Sequence, residues 1–220
     1  MVVPLKVREY FRLLHFQTTS CILAFAIIGS VFAPVIYWDR LLWILLQLFL
    51  GGGIAANYFD EIQGRPWNTT IPKNHLWIIG LASFFGSILI GIYLLVTFSW
   101  WFGIFIAVWG FFTLSYDLEL FDGRFHNTAC LSISWGSICL GSYLLQSHTI
   151  TPYILVVSLI TGRIAGQGRD LYERAKPFSK DHDTSADAAS QQSWTLLKTY
   201  IVVIDVISLV MLAWRLTWIQ

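Results

Sequence analysis

Seven stretches of this chain are apolar, nearly free of charge and close to the length of a membrane-spanning helix. They cover residues 18–36, 41–57, 75–96, 99–116, 127–146, 151–167 and 195–217 of the 220-residue chain. A helix needs roughly 18 apolar residues to cross the hydrocarbon layer, whereas a membrane barrel would show alternating segments of about ten residues, which the sequence lacks. The sequence therefore predicts an all-α fold. Residues 1–220 should form one membrane-embedded domain, a bundle of about seven transmembrane helices.

The composition agrees with this class. Hydrophobic residues make up 56% of the chain and charged residues only 12%, which is about half the charged fraction of a typical soluble domain. We expect membrane lipid around the bundle and no nucleic-acid partner. Residues 7–16 precede the first apolar run and have an amphipathic pattern, so we predict that they lie at the membrane surface.

The basic residues predict the orientation of the bundle. With seven spans, the N-terminus and the loops 57–74, 117–126 and 168–194 share one side. The other side holds only Arg40 and Arg215 of the 14 Lys and Arg residues. Because Lys and Arg concentrate in cytoplasmic loops, we predict a multi-pass membrane protein whose N-terminus and acidic loops are cytoplasmic.

The first acidic loop, 57–74, follows the second apolar run. Asn57, Asp60 and Glu61 are spaced i, i+3 and i+4, which places them on one face of a helix. Three oxygen ligands of this kind suit Mg²⁺, which also binds phosphate groups. Arg65 and Lys73 then supply positive charge for an anion. The alternative is a solvated helix end with an ion pair between Asp60 and Arg65.

The second acidic loop, 168–194, follows the sixth apolar run. Asp170 and Glu173 are one helical turn apart, and basic residues, among them Arg169 and Arg174, surround them. These carboxylates are candidates for a second metal site. The alternative is a charged helix end with a structural role.

Three further groups of acidic residues leave alternatives open. Asp183 and Asp187 also have the spacing of a carboxylate pair and compete with the pair at the start of the loop. Asp205 lies in the middle of the last apolar run, where a carboxylate is costly, and it is predicted to face the bundle interior. The acidic loop 117–126 is by default a solvated turn, although Tyr116 and Asp117 at its start are placed to flank a pocket.

These features resemble the UbiA superfamily of intramembrane prenyltransferases. That family carries two aspartate-rich motifs on cytoplasmic loops after its second and sixth helices, where this chain has its two acidic loops. The string Asp-Glu-x-x-Gly-Arg-Pro-x-x-Thr-x-Ile-Pro, from Asp60 to Pro72, looks like the first motif of a divergent branch. The chain departs from the family pattern at Tyr58, Glu61 and Arg65, where aspartates are usual, and it has about seven spans instead of nine.

The resemblance implies a Mg²⁺-dependent enzyme that ionises a prenyl diphosphate and transfers the prenyl group to an apolar or aromatic, lipophilic acceptor. The residues that match the implied site fall into four groups. The catalytic residues would be Asp60, Glu61 and Asp170; the Mg²⁺ ligands Asn57, Asp60, Glu61, Asp170 and Glu173; the diphosphate-binding residues Arg65, Lys73, Arg169 and Arg174; and the pocket residues Tyr58, Phe59, Tyr116 and Tyr172.

Two other functions remain open from the sequence. A terpene cyclase of the same superfamily would form the same allylic cation but capture it with the substrate's own double bonds. A non-catalytic lipid-binding membrane protein would keep the fold without the chemistry. The incomplete acidic motifs favour this alternative.

Overall fold

The structure is a computed structural model that describes residues 5–181 and 188–217. Every regular element in these two ranges is helical, which confirms the all-α prediction. The predicted carboxylate pair Asp183 and Asp187 lies outside the described residues.

Nine α-helices follow one another along the described chain. They are α1 (Leu5–Arg12), α2 (Phe16–Val31), α3 (Trp38–Leu48), α4 (Ala56–Gly64), α5 (Lys73–Thr97), α6 (Phe102–Asp117), α7 (Thr128–Ser147), α8 (Pro152–Asp181) and α9 (Ala188–Thr217). A π-helical segment, Phe49–Ala55, joins α3 to α4, so the three form one continuous helix. Each of the seven predicted apolar runs coincides with a helix.

Five segments have the length and hydropathy of a membrane span, namely Val7–Val31, Trp38–Gly64, Lys73–Thr97, Thr128–Ser147 and Ala188–Thr217. Helix α6 is apolar but only 16 residues long. Helix α8 begins apolar and becomes charged in its second half. The prediction of a transmembrane helix bundle is therefore confirmed, with α6 and α8 packed among the five spans.

The bundle has two distinct ends. At one end, Arg40 at the start of α3 donates a hydrogen bond from Nη1 to the carbonyl oxygen of Leu145, near the end of α7, at 2.8 Å. At the other end, Glu9 of α1 accepts hydrogen bonds from the backbone and hydroxyl of Thr70. We call this second end the acidic end, because both predicted acidic motifs lie there.

Glycines set the spacing of the helices. A Cβ atom at Gly136 of α7 would lie 2.6 Å from the carbonyl oxygen of Ser158 in α8, so the two backbones touch. Small residues permit such close packing in membranes. The π segment contains Gly51, Gly52 and Gly53, whose conformational freedom permits the wider turn. It lies inside the bundle, directly before the first acidic motif.

Candidate functional site

A cavity of about 390 Å³ extends from the acidic end into the bundle, and all seven long helical segments contribute to its walls. At the acidic end the walls carry polar side chains, including Asn57, Asp60, Asp117, Glu119, His126, Arg169, Glu173 and Lys176. We call this polar group the mouth. Farther into the bundle the walls are mainly apolar, with Ile22, Leu48, Phe84, Ile88, Ile106, Trp109, Ile138 and Ile204. The cavity thus joins a charged entrance to an apolar interior.

Six of the predicted site residues line this cavity. They are Asn57, Asp60, Tyr116, Arg169, Tyr172 and Glu173. The structure places the other seven away from its walls. These are Tyr58, Phe59, Glu61, Arg65, Lys73, Asp170 and Arg174. The two acidic motifs do meet at the mouth, but each contributes only part of its predicted set.

Helix α4 presents Asn57 and Asp60 to the cavity. The side-chain amide of Asn57 donates a hydrogen bond of 2.6 Å to the carbonyl oxygen of Gly53 in the π segment. No residue in the described ranges donates a hydrogen bond to Asp60 or forms an ion pair with it. Its carboxylate is instead within electrostatic range of His126 and Lys176. The Asp60 oxygens are therefore left for a ligand or a cation.

Glu61, the next residue, has a different environment. Its side chain is completely buried. One oxygen accepts a hydrogen bond from the backbone of Trp67 at 3.0 Å, and the other accepts from the backbone and hydroxyl of Thr69 at 2.9 and 2.8 Å. Glu61 therefore holds the loop after α4, and that loop occupies three of the roughly four acceptor sites of its carboxylate.

Arg65 belongs to the same loop. Its φ of 45° is left-handed, a conformation that is unfavourable for a side chain larger than glycine. Its guanidinium donates to the carbonyl oxygens of Thr69 at 2.6 Å and Ile71 at 3.3 Å. Arg65 thus caps the loop's carbonyls, and the predicted alternative of an ion pair with Asp60 is not among the described contacts.

Three more of the predicted site residues lie away from the cavity walls, namely Lys73, Tyr58 and Phe59. Lys73 is exposed at the start of α5. Tyr58 and Phe59 are buried in a hydrophobic cluster with Leu76 and Phe84. In this cluster the Phe59 ring lies where a side chain at Gly80 would be, because a Cβ there would be 2.7 Å from it.

The second motif organises the opposite wall of the mouth. Arg169 donates from Nε to the hydroxyl of Tyr116 at 2.6 Å, from Nη1 to the hydroxyl of Thr128 at 3.0 Å and from Nη2 to the carbonyl of His126 at 3.1 Å. The Thr128 hydroxyl in turn donates to Asp170 at 2.8 Å. Arg169 and Asp170 together hold the end of α6 against the start of α7.

The remaining charges of this motif lie farther along α8. Glu173 and Lys176 form an ion pair of 3.4 Å, and both side chains are more than one-third exposed. Arg174 is exposed on another face of the helix. Because Lys176 is shared with Glu173, it compensates only part of the negative charge at the mouth.

Sequence reasoning assigned no role in the site to several mouth residues, among them Glu119, His126 and Lys176. Asp117, which the sequence left between a turn and a pocket edge, lines the cavity and interacts electrostatically with Asp60. His126 stacks on Tyr116 with ring centroids 4.3 Å apart. The helix end at Asp117 was the available signal, because it faces the same end of the bundle as Asp60.

The carboxylates do not form a preassembled metal cage. Within the described ranges, no three His, Cys, Asp or Glu side chains are grouped closely enough to hold a metal ion. Asp60 and Asp117 nevertheless face one cavity. Mg²⁺ is commonly bound by one or two carboxylates together with water and substrate phosphates. The pair fits that mode of binding, whereas the predicted five-ligand set is not brought together.

No family model, curated protein or solved structure matches this chain. Membership of the UbiA superfamily thus remains a prediction from the motifs and the order of the helices.

Proposed function

We propose that this protein is a Mg²⁺-dependent intramembrane prenyltransferase, which ionises an isoprenoid diphosphate and transfers the prenyl group to a lipophilic acceptor. One observation carries the proposal: a single cavity joins Asp60 and Asp117, neither of which forms an ion pair with the described residues, to an apolar interior. An isoprenoid diphosphate has a matching division between a charged head and an apolar tail. Burying the tail contributes about 0.8 kcal/mol per CH₂ group.

The charge of the mouth supports binding of the diphosphate head group through a metal ion. Four carboxylates line it, against two basic side chains, Arg169 and Lys176. A free diphosphate would be repelled by this excess of negative charge. Asp60 and Asp117 would hold Mg²⁺, which would offset the charge of the diphosphate and stabilise it as a leaving group.

The protein's own residues would then perform three tasks. Arg169 would orient the leaving diphosphate, because its guanidinium is fixed by three hydrogen bonds. The bond between the allylic carbon and the diphosphate oxygen breaks, and its electron pair leaves with the diphosphate. The face of Tyr172 would stabilise the allylic cation, whereas the Tyr116 ring is stacked on His126. The acceptor would supply the electron pair for the new bond and release a proton.

The orientation in the membrane is part of the same proposal. We place the acidic end in the cytoplasm, since it carries most of the Lys and Arg residues. Mg²⁺ and a diphosphate released from the cavity would then enter and leave on that side.

The test is diphosphate release by the purified full chain in lipid nanodiscs, with C10, C15 and C20 prenyl diphosphates and a membrane lipid extract as the source of acceptors. We expect release that requires Mg²⁺ and that Asp117→Asn lowers at least 100-fold. Asp39→Asn is the matched control, because Asp39 is an exposed carboxylate at the opposite end of the bundle. This variant should release diphosphate at the rate of the unaltered protein. A terpene product formed without an acceptor would show that the protein catalyses cyclisation and not prenyl transfer.

A non-catalytic lipid-binding protein is the second candidate. It is favoured by one observation, that seven of the predicted site residues lie away from the cavity walls. Absence of release with every diphosphate, together with stoichiometric binding of lipid in the cavity, would establish this candidate in place of the enzyme.

A further inference from the structure

One face of α6 lines the cavity from the mouth to its inner end. Asp117, Thr113, Gly110 and Ile106 all contribute to the walls. They are spaced by four, three and four residues, so they lie on one face of the helix. Ile106 comes eleven residues before Asp117, which is a distance of roughly 16 Å at 1.5 Å per residue. This face therefore measures the depth of the cavity from one of the proposed metal-binding carboxylates.

Ile106 closes the cavity on the side of α5. It is the residue of α6 farthest from the mouth that lines the cavity. A Cβ atom at Gly91 of α5 would lie 2.9 Å from Cγ1 of Ile106, so the Ile106 side chain packs directly on the backbone of that helix. Earlier in α6, Phe102 and Phe105 are buried in the hydrophobic core. The space available to a ligand thus ends at Ile106.

Trp109 closes the cavity on the side of α7. Its ring lines the cavity, and its Nε1 donates a hydrogen bond of 2.8 Å to the hydroxyl of Ser137 in α7. A Cβ atom at Gly141 of α7 would lie 3.0 Å from the Trp109 ring, so the ring touches this helix. Moving the ring would break the hydrogen bond. We call Ile106 and Trp109 together the floor of the cavity.

The depth above the floor limits the length of a tail whose head group is held at the mouth. An extended chain advances about 1.2 Å per bond, so an isoprene unit of four bonds extends ~5 Å. Four units extend ~19 Å, more than the whole distance from Asp117 to the floor. Three units extend ~14 Å and two units ~9 Å. Metal–oxygen bonds of about 2 Å on either side of Mg²⁺ take up the first ~4 Å, which leaves roughly 12 Å for the tail.

We propose that the cavity selects a prenyl diphosphate with three isoprene units, a C15 substrate, and that the floor sets this length. The inference rests on the proposed function, since it takes the head group to be held at Asp60 and Asp117. A C10 tail leaves apolar space above the floor empty. A C20 tail pushes the head group away from the carboxylates. Ile106 and Trp109 are therefore specificity-determining residues.

The test measures the affinities of C10, C15 and C20 prenyl diphosphates for the purified full chain in nanodiscs with Mg²⁺. The probes carry sulfur in place of the bridging oxygen, so that they resist ionisation, and each affinity is corrected for partition of the probe into empty nanodiscs. We expect the C15 probe to bind at least 10-fold more tightly than the C10 and C20 probes.

Ile106→Ala lowers the floor and should raise the affinity for the C20 probe relative to the C15 probe about 10-fold. Ile104→Ala is the matched control, because it makes the same change on the same helix at an exposed position, and it should leave this ratio unchanged. Thermal unfolding of each variant separates lost binding from lost folding. Ile106→Val removes less of the side chain and replaces Ile106→Ala if that variant does not fold, with a smaller rise in the ratio.

Gly110 permits a change in the opposite direction. The atom nearest to a Cβ placed at Gly110 is Cζ of Phe84, at 3.8 Å, so a side chain has room to enter the cavity there. Gly110→Leu, one turn above Ile106, raises the floor and should lower the affinity for the C15 probe relative to the C10 probe about 10-fold. Gly110→Ala adds a single methyl group and should change this ratio no more than about twofold.

The pattern of results separates this inference from the proposed function. Equal affinities for the C15 and C20 probes, or ratios that neither Ile106→Ala nor Gly110→Leu changes, would overturn the length limit even in an active enzyme. The expected ratios in a protein that releases no diphosphate would uphold the length limit and overturn the enzymatic function. Lack of binding by all three probes would overturn the length limit together with the proposed head-group site.

Discussion

The two sides of α4 show how differently one sequence motif can be used. On the loop side, Glu61 is completely buried and three hydrogen bonds tie it to Trp67 and Thr69. On the cavity side, the neighbouring carboxylate of Asp60 has no hydrogen bond or ion pair with the described residues and faces the mouth. Adjacent residues on a helix point about 100° apart, because a turn contains 3.6 residues. An acidic motif can therefore supply one carboxylate to the fold and the next to a ligand.

The largest effect should come from the cavity side. Under the proposed enzymatic function, Asp60→Asn removes a metal-binding charge from the mouth while keeping the size of the side chain. We expect diphosphate release to fall about 1,000-fold, which corresponds to ~4 kcal/mol of transition-state stabilisation. The midpoint of thermal unfolding should not change, since no described contact of the fold uses this carboxylate. If Asp60→Asn lowered the stability but not the activity, Asp60 would serve the fold and not the ligand.

The loop side should show the opposite pattern. Glu61→Ala leaves two backbone N–H groups and one hydroxyl without their buried acceptor, so the free energy of unfolding should fall by about 3 kcal/mol. The measurement is denaturant or thermal unfolding in detergent. Glu61→Gln retains two acceptor lone pairs and should lose less stability. If both variants unfold like the unaltered protein, the loop after α4 is not held by Glu61.

Arg169 tests whether the opposite wall of the mouth depends on geometry or on charge. Arg169→Lys keeps the charge, but one ammonium group cannot reproduce hydrogen bonds to Tyr116, Thr128 and His126 together. We expect a loss of about 1–2 kcal/mol in the free energy of unfolding and, in the proposed reaction, a KM that rises more than kcat falls.

Arg174→Lys is the matched control for this change. It alters the same residue type on the same helix, at an exposed position, and should behave like the unaltered protein. Equal effects of the two substitutions would show that Arg169 contributes only charge.

The fold was predictable from the sequence because its dominant signal is long-range and repeated. Each apolar run must be long enough to cross the membrane, and this requirement located all seven helices, with ends that in all but one helix differ from the predicted bounds by up to about seven residues. The largest difference is at α8, whose charged second half continues the helix to Asp181, well beyond the predicted end of the run at residue 167. A helix can continue into the polar layer, and hydropathy does not register that continuation.

The site was predictable only in part, because spacing does not reveal what competes for a side chain. The i, i+3, i+4 pattern placed Asn57, Asp60 and Glu61 on one face, but the loop back to Thr69 captured Glu61. That capture depends on a chain reversal after α4, which no pattern in the motif specifies.

The smallest expected effect tests whether the loop after α4 is held from both sides. Glu9 of α1 accepts two hydrogen bonds from Thr70, at 2.9 Å and 2.8 Å, in an exposed position. Glu9→Gln keeps an acceptor oxygen and loses only the charge, so the free energy of unfolding should fall by no more than about 0.5 kcal/mol. Thermal unfolding beside Glu61→Gln gives the comparison. A loss as large as that of the buried variant would mean that α1 holds the loop as firmly as Glu61 does.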